Sequence, residues 1–139
     1  MGDYIYLIAP ISGWVVAQSI KFGLTLRKDG VKIGDAVQSG GMPSSHAAFM
    51  VALTTVVGLN YGISDVLFGI VFALTAIIIY DALGVRRTTG QQTEVIKQIA
   101  KIGKYRVGTI DNAKGHTVPE VAVGALVGVA VGILLYNIL

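Results

Sequence analysis

The sequence predicts an all-α protein built into a membrane, a bundle of about four transmembrane helices plus a short interfacial amphipathic helix. Three observations carry that prediction. Of 139 residues, 53% are hydrophobic and 14% charged, with a mean hydropathy of +0.69, whereas roughly a quarter of an ordinary soluble protein's residues are charged. The apolar residues gather into runs long enough to cross a bilayer. The cations fall in only two of the segments between those runs. A net charge of +3 could suggest nucleic acid, but Lys and Arg flank apolar runs, so anionic lipid headgroups are the expected partner and nucleic acid is not. The absence of Cys excludes disulfides, thiolate metal sites and Cys nucleophiles. The length suits one membrane-embedded domain over residues 1–139.

The first span is expected from Tyr4 to Phe22, about 19 residues or roughly 28 Å of helix. No basic residue precedes it, which argues against a secretory signal. A second run starts at Ala47 and ends at the turn-forming Asn60-Tyr61-Gly62. The third covers Val66 to Ala82; both are about 17 residues, short for a span, and together they form a helical hairpin. Thr93 to Lys104 has helical spacing with Lys97, Lys101 and Lys104 on one stripe and Val95, Ile96, Ile99 and Ile102 largely elsewhere, so a basic amphipathic helix on the membrane surface is expected. The last span, Val118 to Leu139, carries Gly124, Gly128 and Gly132 at four-residue intervals. Such a small face admits a close neighbour, either another helix of the chain or a second copy in a homodimer.

Lys21, Arg27, Lys28 and Lys32 lie in the first polar segment, and Arg86, Arg87, Lys97, Lys101, Lys104, Arg106 and Lys114 in the other. Cation-rich loops stay in the cytoplasm. Both segments are therefore expected at the cytoplasmic face of the plasma membrane, with both termini outside. The same segments hold nearly every residue fit for catalysis: Lys21, Arg27, His46, Arg86, Arg87, Asp111, His116 and Glu120.

Ser44 and Ser45, in Gly40-Gly41-Met42-Pro43-Ser44-Ser45-His46, stand where a helix begins, so free N–H groups and the helix dipole favour an anion such as phosphate. Either serine could equally be a plain cap. In Gly115-His116-Thr117-Val118-Pro119-Glu120, Thr117 and Glu120 have capping-box spacing, and Glu120 is also placed to orient His116 as a nucleophile or base. Asp81, at the end of the third span, is a further carboxylate able to orient a His or pair with Arg86 or Arg87. That arginine pair could grip phosphate oxygens or serve only as a topology signal. No dedicated metal site and no magnesium motif is apparent.

Ser39-Gly40-Gly41-Met42-Pro43-Ser44-Ser45-His46, Tyr80-Asp81-Ala82-Leu83-Gly84-Val85-Arg86-Arg87 and Gly115-His116-Thr117-Val118-Pro119-Glu120 together resemble the type 2 phosphatidic acid phosphatase superfamily. The likeness is to its divergent branch of acid phosphatase/vanadium-dependent haloperoxidase-related membrane proteins, and it runs from about Ala17 to Gly132. It implies that His116 attacks phosphorus, helped by Glu120 where the family usually has Asp. It also implies that His46 protonates the leaving oxygen, with Ser45 standing where the family has Gly. Lys21 matches the first family cation; Arg27 falls one position short of the second, which Lys28 occupies. Thr109-Ile110 stands in place of the family's Ser-Arg, so Arg86 or Arg87 would have to supply that charge. The resemblance implies a phosphatase-like domain needing no cofactor, with phosphate or vanadate as site occupant.

Two functions from different classes fit. One is a metal-independent phosphatase of a membrane lipid phosphate (phosphatidylglycerophosphate, phosphatidic acid or a prenyl diphosphate) that forms phospho-histidine. The other is a non-catalytic phospholipid-binding or assembly protein with a degenerate site. Vanadate-dependent halide oxidation is a poorer third.

Overall fold

The computed structural model describes residues 4–27, 41–106 and 115–139, and every regular element among them is an α-helix. They are α1 (Ile5–Leu26), α2 (Ser45–Tyr61), α3 (Val66–Leu83), α4 (Val85–Ile102) and α5 (Val118–Ile138). Helical stretches beginning at Ile5, Val66 and Val118 are long and apolar enough to cross a membrane. The 17-residue α2, about 26 Å long, packs against α1, α3 and α5 and forms the centre of the bundle.

Side-chain contacts fix the direction of each helix. Tyr6 of α1 stacks on Tyr61 at the far end of α2, with ring centroids 5.9 Å apart, while Lys21 passes over Gly41 just before α2 begins. The two helices are thus antiparallel. Thr54 and Thr75 share a 2.7 Å hydrogen bond, and Phe68 lies over Gly58, so α3 is antiparallel to α2 as well. Gly124, Gly128 and Gly132 meet Ser44, Ala48 and Thr55 in turn, so α5 runs parallel to α2. One end of the bundle therefore gathers the C-terminal ends of α1 and α3 and the N-terminal ends of α2 and α5.

Small residues make this packing possible. In lipid, helices gain nothing by merely hiding apolar surface from each other, so close van der Waals contact has to hold them. A Cβ on Gly124 would collide with the Ser44 carbonyl, and one on Gly128 would come within 2.7 Å of the Ala48 carbonyl oxygen. Ala47, Ala48 and Ala52 are buried on the facing helix. The glycine stripe is therefore filled by α2 of the same chain. Of the two neighbours the small face could admit, the structure shows a helix of the same chain against Gly124, Gly128 and Gly132.

Two boundaries also differ from the sequence expectation. First, α1 continues to Leu26, four residues beyond the expected end at Phe22. Second, α4 begins at Val85, eight residues before the expected start at Thr93, and ends at Ile102. Gly84, whose backbone leaves helical geometry, separates it from α3. Arg86 and Arg87 thus fall in the first turn of a helix; their side chains lie outside the described residues. Lys104 falls beyond the helix at a positive φ of 54°, leaving Lys97 and Lys101 on the basic stripe. Among the described elements α4 touches α3 alone, and its Val95, Ile96, Ile99 and Ile102 are 50–84% exposed. A basic helix with a bare apolar face suits the lipid–water boundary.

Candidate active site

The site lies at the gathered helix ends. Thr117 caps α5 in a capping box: its side chain accepts from the backbone N–H of Glu120, and Glu120 Oε2 accepts the Thr117 N–H at 3.0 Å. The same oxygen lies 3.2 Å from His116 Nδ1. Both roles open to Glu120 in the sequence are thus filled by one oxygen atom. His116 is 4% exposed, and a carboxylate at Nδ1 favours the tautomer protonated there, which puts the lone pair on Nε2.

Backbone hydrogen bonds fasten this turn to its neighbours. The His116 N–H donates to the Ala82 carbonyl at 3.0 Å, satisfying one of the open carbonyls at the end of α3. The Ser44 N–H donates to the Glu120 carbonyl at 2.9 Å, tying the approach to α2 onto the first turn of α5. The segments around His46 and His116, some 70 residues apart in the chain, are joined by that bond and by the Gly124 contact beneath it.

Ser44 is the N-cap of α2, its hydroxyl accepting weakly from the Ala47 N–H at 3.4 Å; Ser45 opens the helix and is buried beside it. The capping role of Ser44 is therefore realised, and it leaves other N–H groups of the first turn open. Lys21 is 6% exposed and feels the charge of Glu120, which brings a buried cation and its counter-charge to the same place. Its chain crosses Gly41, where a Cβ would sit 3.4 Å from Lys21 Cε; Gly41 also has a φ of 86°, which favours glycine. Asp81 sits half-buried in the last turn of α3, beside Ala82. His46 occupies the first turn of α2, exposed, on the side facing Trp14 and Ile78.

The structure thus collects Lys21, Ser44, Ser45, His116 and Glu120, with Asp81 and His46 at the borders. Arg27 ends α1, exposed, about 9 Å along the axis from Lys21. Lys28, Asp111 and the Thr109-Ile110 pair lie outside the described residues. Sequence reasoning missed Gly41 and the Ala82 carbonyl. The glycine of Gly41-Met42-Pro43 was a usable signal for a turn, whereas a backbone acceptor leaves none.

A bundle of apolar helices long enough to cross a membrane, with a buried carboxylate-held histidine beside two helix N-termini, describes an integral membrane protein. The chain belongs to the divergent PAP2 family, whose profile matches residues 3–131. It is similar to the uncharacterized membrane protein YuiD of Bacillus subtilis (strain 168), with 30% identity over 144 residues, 93% of this chain and 89% of that one. No solved structure matches it.

Proposed function

We propose that this protein is a metal-independent phosphatase of a membrane lipid phosphate, working through phospho-His116 at the cytoplasmic face. The observation that carries the reading is the 3.2 Å approach of Glu120 Oε2 to Nδ1 of a buried His116. In the first step Nε2 of His116 attacks phosphorus, an N–P bond forms, and the P–O bond to the lipid breaks while His46 gives its proton to the leaving oxygen. Glu120 offsets the charge gained by the ring, with Asp81 as a second carboxylate nearby. In the second step water attacks phosphorus, His46 takes the water's proton, and the N–P bond breaks to release inorganic phosphate. Lys21, Arg86, Arg87 and the N-terminal end of α2 at Ser44 and Ser45 balance charge on the transferring phosphoryl, with Arg27 at the rim.

A cytoplasmic site favours a lipid made on the inner leaflet, such as phosphatidylglycerophosphate or phosphatidic acid, over a prenyl diphosphate recycled outside. The test is phosphate release from all three by purified protein in detergent with a chelator present. Chelator-resistant release that disappears in His116→Ala is the expected result. Absence of release from a folded, lipid-binding protein would favour the non-catalytic phospholipid-binding reading, which the Thr109-Ile110 departure supports. Release confined to substrate in the outer leaflet would overturn the orientation.

A further inference from the structure

A cavity of about 280 Å³ lies between α1, α2 and α3, walled by Trp14, Phe49, Met50 and Ile78, with His46 also in its lining. Because α2 is antiparallel to α1 and α3, the depth of each residue is fixed. His46 is in the first turn of α2, Met50 lies about 6 Å further along the axis, and Ile78 is one turn before the Asp81–Ala82 end of α3. The cavity therefore starts at the site end and runs inward, away from the polar segments. Apart from His46 its lining residues are largely apolar, so ordered water has few partners there. Trp14 is 45% exposed, so the wall it forms also faces outward from the bundle. In a spanning bundle the medium outside that wall is hydrocarbon.

We infer that this cavity receives the head-proximal part of a lipid acyl chain, entering sideways from the bilayer while the anionic headgroup rests by Lys21 and the first turn of α2. The headgroup half of this inference rests on the lipid-phosphate reading above; the tail half does not. Charge and hydrophobicity select the occupant together. A cationic helix-end site with an apolar slot beginning near it matches a phosphate joined to a hydrocarbon chain. A soluble phosphate ester would fill only the first part. His46, in the first turn of α2 and in the lining of the slot, stands between the two parts. Phe49 and Met50, three and four residues after His46, share its face of α2, so the spacing that aims His46 also builds the slot.

The test is photolabelling of the full chain in phosphatidylethanolamine vesicles, using phosphatidic acid with a diazirine near the carboxyl end of one acyl chain. Adducts should concentrate on Trp14, Phe49, Met50 and Ile78, and unlabelled phosphatidic acid should compete while glycerol 3-phosphate should compete far less. Ile78→Trp, which fills the slot, should cut those adducts about tenfold, equivalent to about 1.4 kcal/mol of binding, and Ile78→Ala should retain them. Adducts spread evenly over outward residues such as Ile70, Phe72 and Ile77 in the wild type would overturn the inference, whether or not the Trp variant folds. Phosphate release measured in the same vesicles separates the two claims. Concentrated adducts without release would leave the slot standing and remove the phosphatase reading, and release with scattered adducts would do the reverse.

Discussion

The α2–α5 interface and the α3–α4 arm are built on opposite principles. Along α2–α5, backbone meets backbone: Gly124 faces the Ser44 carbonyl and Gly128 the Ala48 carbonyl, with no space for even a methyl group. Along α4, the apolar side chains Val95, Ile96, Ile99 and Ile102 face outward with no partner among the described elements. The first interface is complete within the chain, and the second requires a surface outside it. The candidate site sits on the complete one, where His116 and Ser44 are fixed by backbone bonds. Positioning to fractions of an ångström is what phosphoryl transfer asks of a protein that makes few bonds itself.

The sharpest way to break this contrast is to enlarge a glycine. Gly128→Leu forces a side chain into the Ala48 carbonyl and the Ala52 backbone; such overpacking costs about 1–3 kcal/mol or more. The variant should lose its cooperative thermal transition in detergent, while Ile99→Ser on α4 should leave that transition within about 0.5 kcal/mol of the wild type. Equal sensitivity at the two positions would remove the distinction.

Next in size is a change within the site that spares the fold. Glu120→Gln keeps the capping-box partner, since Gln serves there as Glu does, but removes the charge beside His116. Turnover should fall on the order of 10²–10⁴-fold with a nearly unchanged melting temperature. A large drop in stability would assign Glu120 mainly to the cap. Lys21→Met should lower both properties: removing one partner of a buried charge pair leaves Glu120 uncompensated and costs about 3–5 kcal/mol, and kcat should fall on the order of 10²-fold if Lys21 balances phosphoryl charge. The smallest effect is expected at Thr75→Val, which removes the hydroxyl bonded to Thr54 between α2 and α3. Interhelical hydrogen bonds in membranes average about 0.6 kcal/mol, and a melting shift of that size is the check.

How much of this was legible in the sequence depends on whether the determinant is local. The capping box from Thr117 to Glu120 and the glycine period of α5 are written within a few turns of helix, and both could be read directly. The partner of the glycines could not, because a small face says that something approaches closely without saying what. The start of α4 was hidden for another reason. Thr88, Thr89 and Thr93 read as polar, but each hydroxyl bonds the carbonyl four residues back, so they extend the helix upstream at little polar cost. Lys21 reads as the first loop cation, and its burial beside Glu120 follows only once α1 and α5 share an end. The bond from His116 to Ala82 depends on a backbone carbonyl and leaves no trace in residue identities.

The central claim is that His116 becomes phosphorylated. The most direct measurement is to quench the protein during turnover of ³²P-labelled phosphatidic acid with chelator present, and to assay acid-labile, base-stable label on the chain. The account predicts label on His116 in the wild type, none in His116→Ala, and accumulation in His46→Ala if proton transfer to and from His46 also limits release. Phosphate release with no labelled chain at any quench time, or label that persists in His116→Ala, would contradict it.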